Sequence, residues 1–185
     1  MITSPLLFSI LGMVLYCQGT YMNDHLIQFA KAYSRTGFDR IKFDWNGKHG
    51  DDFEDANIDF RMQLCEVLKD DLSLASDTLL IDLYGELSKS SKETWSVYNS
   101  YHLFANEILL RGGIDYFDIY VEGASKSMDT FMSSGVLNLP YSLIVEILNH
   151  IKSSLLEDEK TSKSKGYDSM LKRFEWQESQ AKERS

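Results

Sequence analysis

Apolar residues recur along this chain at intervals of three and four, the pattern of helices that bury one face. Leu26, Phe29, Ala30 and Tyr33 form one such stripe, with Asp24 placed to cap it and Gly37 to end it. Phe53, Ile58, Met62, Cys65 and Leu68 form a second stripe, and Leu74, Leu79, Leu80, Leu83 and Leu87 a third after a break at Asp70-Asp71. Ser90 followed by Glu93 has the form of a capping box, in which hydroxyl and carboxylate each satisfy a free backbone N–H of the first turn. It predicts a long helix through Trp95, Tyr98, Phe104 and Ile108, closed by Gly112-Gly113. Asp115 is placed to cap a short helix through Phe117 and Tyr120, and Met128, Phe131 and Met132 mark another. Pro140 takes the first-turn position of a helix carrying Leu143, Ile144, Ile147, Leu148 and Ile151. With only two prolines in 185 residues and no internal repeat, the prediction is an all-α fold, a compact irregular bundle of seven to eight helices.

Residues 39–50 interrupt the helical pattern. Ile41-Lys42-Phe43-Asp44-Trp45 alternates as a strand would, and Asn46-Gly47 is a favoured tight-turn pair, but no second alternating run follows to complete a hairpin. An ordered loop is the expectation.

The two ends differ in character from the middle. Pro5 to Tyr16 is uncharged and mostly apolar, and no Lys or Arg occurs before Lys31. Without a positive leading region, residues 1–19 read first as a buried helix and alternatively as a signal peptide ending near Cys17-Gln18-Gly19. The stretch is too short to span a bilayer. Residues 1–156 therefore make one helical domain, 157–166 a polar linker without apolar side chains to pack, and 167–185 a C-terminal helix. That last helix carries Met170, Leu171 and Phe174 at helical spacing, with Trp176 nearby, and is locally basic through Lys172, Arg173, Lys182 and Arg184. Two widely spaced cysteines, Cys17 and Cys65, indicate neither a disulfide framework nor a zinc site, so a cytoplasmic location is expected, with export as the alternative if residues 1–19 are cleaved.

Charge changes the picture most. The net charge is −9 and the pI about 4.9, which repels phosphate backbones and anionic lipid headgroups. Neither nucleic acid nor a membrane surface is an expected direct partner. Residues 51–86 hold eleven acids, Asp51, Asp52, Glu54, Asp55, Asp59, Glu66, Asp70, Asp71, Asp77, Asp82 and Glu86, against Arg61 and Lys69, so this segment carries the whole surplus while the rest of the chain sums to zero. A concentrated negative field steers basic partners and speeds their association. The bland reading of the same acids is the solvated faces of two helices.

Catalytic patterns are sparse. His25, His49, His102 and His150 are scattered; His49 beside Asp51 and Asp52 is the single tight cluster with the residue types of a divalent-metal hydrolase, though no second His-carboxylate pair completes it. Gly112-Gly113 follows a helix where phosphate-binding glycine loops precede one. No cofactor site is predicted.

Val97-Tyr98 and Leu103-Phe104, then Glu107 and Gly112-Gly113-Ile114, then Tyr116-Phe117 and Met128, Phe131, Gly135 and Ile144 together resemble a DNA-mimic-type family of small acidic helical proteins over about residues 88–150. In that family a Glu-Val-Asn-Asn-Gly-Gly-Phe type motif stands at this place; here Arg111 precedes the diglycine, Glu107 lies one residue further from it and Ile114 replaces Phe. The resemblance implies an all-α fold and protein binding by an acidic face, with related domains acting as immunity proteins, and it brings no catalytic residues. The expectation from sequence is thus a non-enzymatic acidic protein that binds a basic protein partner. An immunity protein against a nuclease-type toxin comes first. The alternatives are a DNA mimic that sequesters a nucleic-acid-binding regulator and a metal-dependent hydrolase using His49, Asp51 and Asp52.

Overall fold

The Leu79, Leu80, Leu83 and Leu87 stripe becomes the centre of the molecule, in a computed structural model that describes residues 23–183. Helices follow in the order α1 (23–31), α2 (Ile58–Leu68), α3 (Asp77–Thr94), α4 (Tyr101–Gly112), α5 (Phe117–Ala124), α6 (Met128–Ser133), α7 (Tyr141–Glu157), α8 (Glu159–Ser164) and α9 (Tyr167–Glu183). Short 3₁₀ turns lie between several of them, and no strand occurs among the described residues. The all-α class is as expected. Residues 1–19, read as a buried helix or signal, fall outside the described residues, as do Cys17 and Arg184.

Helix α3 is buried on most of its circumference and packs on α4, α5 and α6. Ser76 caps it, its hydroxyl accepting the Leu79 N–H at 3.2 Å. The chain does not restart at Ser90. Ser90 lies inside α3, which runs on to Thr94 and stops where Trp95 takes the left-handed conformation, φ 54°. The small side chains explain the continuation. Ser88, Ser90 and Ser91 are buried, Ser88 Oγ donates to the Gly85 carbonyl at 2.7 Å, and the Ser91 and Ser127 hydroxyls pair at 2.9 Å, so close contact rewards an unbroken helix. The capping box that does form is at α6, where Ser127 and Thr130 exchange side-chain to backbone bonds.

Other boundaries also shift. Asp24 lies within α1, which ends at residue 31, and Gly37 belongs to the 3₁₀ turn Arg35–Arg40 beyond it. Phe53 precedes α2 and is not part of it. Asp115 sits inside the 3₁₀ turn Gly113–Tyr116, which runs directly into α5 and already satisfies the Phe117 N–H through the Ile114 carbonyl, leaving no capping role. Pro140 is the residue before α7, one position earlier than expected. Residues 157–166 are largely helical, with α8 opened by Asp158, whose carboxylate accepts the Thr161 N–H at 3.1 Å. Gly112-Gly113 ends α4 as predicted, Gly113 taking φ 52°.

Helix α9 packs along α7, burying Tyr167, Met170, Phe174 and Gln177, and Tyr167 anchors its start. The Tyr167 hydroxyl donates to Asp118 Oδ1 at 2.6 Å and Lys165 Nζ to Asp118 Oδ2 at 2.7 Å. Partial burial raises the Asp118 pKa, but the bonds from Lys165 and Tyr167 outweigh it and hold the carboxyl below its ordinary value. Cys65 sits in the core between α2 and its neighbours, and burial pushes its thiol up to about 12. It is therefore protonated and shielded at neutral pH. Iodoacetamide should leave Cys65 unlabelled in native protein and modify it after unfolding in urea, as read by peptide mass mapping; labelling of Cys65 at the native rate of a free thiol would contradict this packing.

Candidate functional site

The fold divides the acids of 51–86 into two populations. Three of them serve the interior. Asp55, 7% exposed, is paired with Arg61, which is completely buried. Asp82, also 7% exposed, accepts the Tyr33 hydroxyl at 2.8 Å and faces Arg35 at 3.0 Å. Glu86 accepts the Phe43 N–H at 2.7 Å and pairs with Lys89. Asp55 and Asp82 are thus not the surface contacts the charge count implied: a buried carboxylate persists only when paired, and these are paired from within.

Glu66 and Asp77 are exposed but engaged. Glu66 takes bonds from Lys69 and from the Tyr98 hydroxyl, which lower its pKa. Asp77 holds Arg111 at 3.0 Å and the Tyr116 hydroxyl at 3.1 Å. Asp71 caps the 3₁₀ turn Leu72–Leu74 by accepting the Ser73 N–H and hydroxyl, with Asp70 exposed beside it. Asp51, Asp52, Glu54 and Asp59 are exposed, and none has an ion-pair partner among the described residues. Three of these four lie in one loop and Asp59 in the first turn of α2 just after it; with Asp70 they are the free negative charge of the segment among the described residues.

That loop has a built shape. Asn46-Gly47 makes a tight turn with Gly47 at φ 80°, and Asn46 fastens both sides of it. Its N–H donates to the Glu54 carbonyl at 3.0 Å, its side-chain amide donates to the Asp52 carbonyl at 2.8 Å, and its side-chain oxygen accepts the Lys48 N–H at 3.0 Å. A single bridge, Trp45 to Asp55, joins the arms among the described residues, so the residues 41–45 alternate without forming a strand. The alternation turns Phe43 and Trp45 to one side, where Phe53 joins them; Phe43 lies 6.2 Å from Trp45 and 6.4 Å from Phe53, with the ring planes nearly parallel.

Beneath this loop the buried ion pair holds its register. Arg61 donates to Asp55 Oδ2 and to the Ile41 and Lys42 carbonyls, while Asp55 Oδ1 accepts the N–H groups of Asp44 and Asn57 at 3.1 and 3.2 Å. The result is a cavity of about 640 Å³ lined by Asp44, Trp45, Asn46, Phe53, Glu54, Asp55, Ala56 and Ile58. Aromatic faces and carboxylates together suit one kind of guest, a cationic side chain held by ring quadrupoles and by charge. The same chemistry already operates within the chain, where the Arg40 guanidinium lies 3.9 Å from the centre of the Phe60 ring. Sequence reasoning found the acids but not the pocket; the signal was Phe43-x-Trp45 and Phe53 placed either side of Asn46-Gly47.

The hydrolase alternative gains nothing from the geometry. Among the described residues no group of three or more His, Cys, Asp or Glu side chains is arranged to hold a metal ion, and His49 packs against the Trp45 ring at 4.9 Å while Asp51 and Asp52 are exposed. The Glu107 and Arg111 region proves to be a clamp. Arg111 donates to Glu107 at 2.7 Å, to the Leu72 and Ala75 carbonyls at 2.7 Å each, and to Asp77, tying the end of α4 to the start of α3. No helix among the described residues is long and apolar enough to cross a membrane. Comparison with protein-family models, with curated proteins and with solved structures finds no match to this chain.

Proposed function

We propose that this chain is a non-enzymatic binding protein whose acidic, aromatic pocket at 44–58 receives a lysine or arginine side chain of a basic protein partner, in the manner of an immunity protein that occludes a nuclease-type toxin. One observation carries the reading: Glu54, exposed and without an ion-pair partner among the described residues, lines a cavity walled by Trp45 and Phe53, and Asp51, Asp52 and Asp59, likewise exposed and unpaired, lie within a few residues of that lining in sequence. Unpaired like charges repel one another and weaken the fold that gathers them, so their placement together is a cost that a cationic partner offsets. A cation placed over an aromatic ring adds about 0.5–2 kcal/mol, more as water is excluded.

The proposal is tested by affinity capture from the source organism, followed by binding measurements with the purified partner. A nuclease-type toxin is the expected capture, and its affinity should fall as salt is raised. Reversing Asp51, Asp52, Glu54 and Asp59 to Lys should weaken it by about 30-fold or more while far-UV circular dichroism is unchanged. Trp45→Ala should weaken binding without changing its salt dependence. Capture of a nucleic-acid-binding regulator would favour the DNA-mimic alternative, and affinity indifferent to the four reversals would remove the segment from the interface.

A further inference from the structure

The opposite character appears at the other end of the chain. Met132, Val136 and Trp176 are 66%, 63% and 57% exposed, and they line a groove of about 530 Å³ between α6 with its following turn and α9. Phe131 and Gly135 also line it, and among the described residues Lys172 and Arg173 are its only charged lining residues; in a chain of net charge −9 no described carboxylate lines it. Large exposed apolar side chains grouped in one concavity mark an interaction site more often than chance exposure, and Met with Trp is a composition typical of adaptable helix-binding grooves.

The groove is held open. Arg173 stacks 4.0 Å from the Phe131 ring centre and donates to the Phe131 carbonyl, to the Tyr120 hydroxyl at 2.8 Å and to Ser134 Oγ at 3.1 Å. Gln177 Nε2 donates to the Gly135 carbonyl at 3.0 Å. These bonds fix α9 against the turn after α6, so the walls cannot close on each other to bury Met132 and Val136. A preformed groove binds with little ordering cost.

We propose that this groove docks an amphipathic helix of a second protein, one that presents large apolar side chains to Met132, Val136 and Trp176 and carboxylates to Lys172. Charge selects the occupant. Arg173 is already committed to its internal acceptors, whereas Lys172 is exposed and has no ion-pair partner among the described residues. The local lining outweighs the net charge here, since the groove carries two cations and no carboxylate among the described residues, and a carboxylate-bearing helix is what complements it. The groove follows α9 from Ser169 to Trp176, about 10 Å or two helical turns, which matches apolar anchors three or four residues apart on a partner helix. Basic partners would thus engage the 44–58 pocket and an acidic helix the α6–α9 groove, and neither site requires the other.

The probe is a fluorescein-labelled peptide of fourteen residues with Leu at helical spacing and Glu on its flanks, followed by fluorescence anisotropy with the full chain. Its partner is the same peptide with Lys in place of Glu. The Glu peptide should bind saturably and the Lys peptide at least about tenfold more weakly. Met132→Asp and Val136→Asp should each reduce binding of the Glu peptide by about tenfold or more, and Lys172→Glu by roughly fivefold, with helix content unchanged because all three side chains face solvent. Reversal of Asp51, Asp52, Glu54 and Asp59 should leave peptide binding intact. No binding of the Glu peptide, equal binding of the Lys peptide, or indifference to Met132→Asp would each overturn the proposal. So would a dimer in sedimentation that Met132→Asp dissolves, since the occupant would then be a second copy.

Discussion

Arg61→Ala is expected to cost about 3–5 kcal/mol of folding stability, a fall of about 10 °C in Tm for a chain of this length. The guanidinium is wholly buried and satisfies Asp55 together with two carbonyls, those of Ile41 and Lys42. Its removal leaves the Asp55 carboxylate charged in a dry setting, still held by the Asp44 and Asn57 N–H groups but with no counter-charge. Because these bonds join residues 41–44 to 55–57, the pocket should loosen with them, and the near-UV circular dichroism of Trp45 should weaken at temperatures where helix content is intact. Asp55→Asn should cost less, since the amide keeps an oxygen for the two N–H groups. In the double variant Arg61→Met with Asp55→Asn part of the loss should return, because no lone charge is left inside. Urea unfolding measures all three, and a loss below about 1 kcal/mol for Arg61→Ala would show that the pair does not hold this loop.

What could be read in the sequence was whatever depends on near neighbours. The Leu143, Ile144, Ile147, Leu148 and Ile151 stripe and the Met170 and Phe174 pair lie where periodicity put them, because a helix's buried face is set by residues one turn apart. Gly112-Gly113 ends α4 for reasons that are local: Gly113 takes φ 52°, and Gly112 leaves room for the Tyr116 ring four residues on. Ser90 misled because a serine suits a cap or a buried helical position equally, and here it is buried within α3 beside Ser91, whose hydroxyl pairs with Ser127, 36 residues away. The charge census failed for the same reason. Asp82 meets Tyr33 at a separation of 49 residues and Glu86 meets Phe43 at 43, distances over which no local pattern says that a carboxylate is turned inward. Counting acids located the charged segment; deciding which carboxylates were already partnered needed the fold.

The same substitution at two glycines should have opposite effects, and the contrast tests the packing of α3 on α5. At Gly123 an added Cβ would lie 2.1 Å from Cε1 of Tyr84 and 2.7 Å from Cζ. The Tyr84 ring cannot retreat: it is fully buried, stacked on Tyr101 at 4.7 Å, and its hydroxyl donates to the Tyr120 carbonyl at 2.9 Å. Helices α3 and α5 must therefore separate, and Gly123→Ala should cost about 3 kcal/mol, the upper end of overpacking penalties, against which the better helix propensity of alanine returns at most about 1 kcal/mol. At Gly85, in the middle of α3, an added Cβ meets nothing within 4 Å. There only propensity and the reduced freedom of the unfolded chain act, so Gly85→Ala should stabilise by about 0.5–1 kcal/mol. Thermal unfolding of the two single variants and the double variant measures both signs. Gly85 is bonded to Tyr84 and lines the same pocket as Gly123, so the two sites share a partner and the double variant should depart from the sum of the single effects by about 0.5 kcal/mol or more. A neutral Gly123→Ala would mean that α5 approaches α3 less closely than the Tyr84 ring requires.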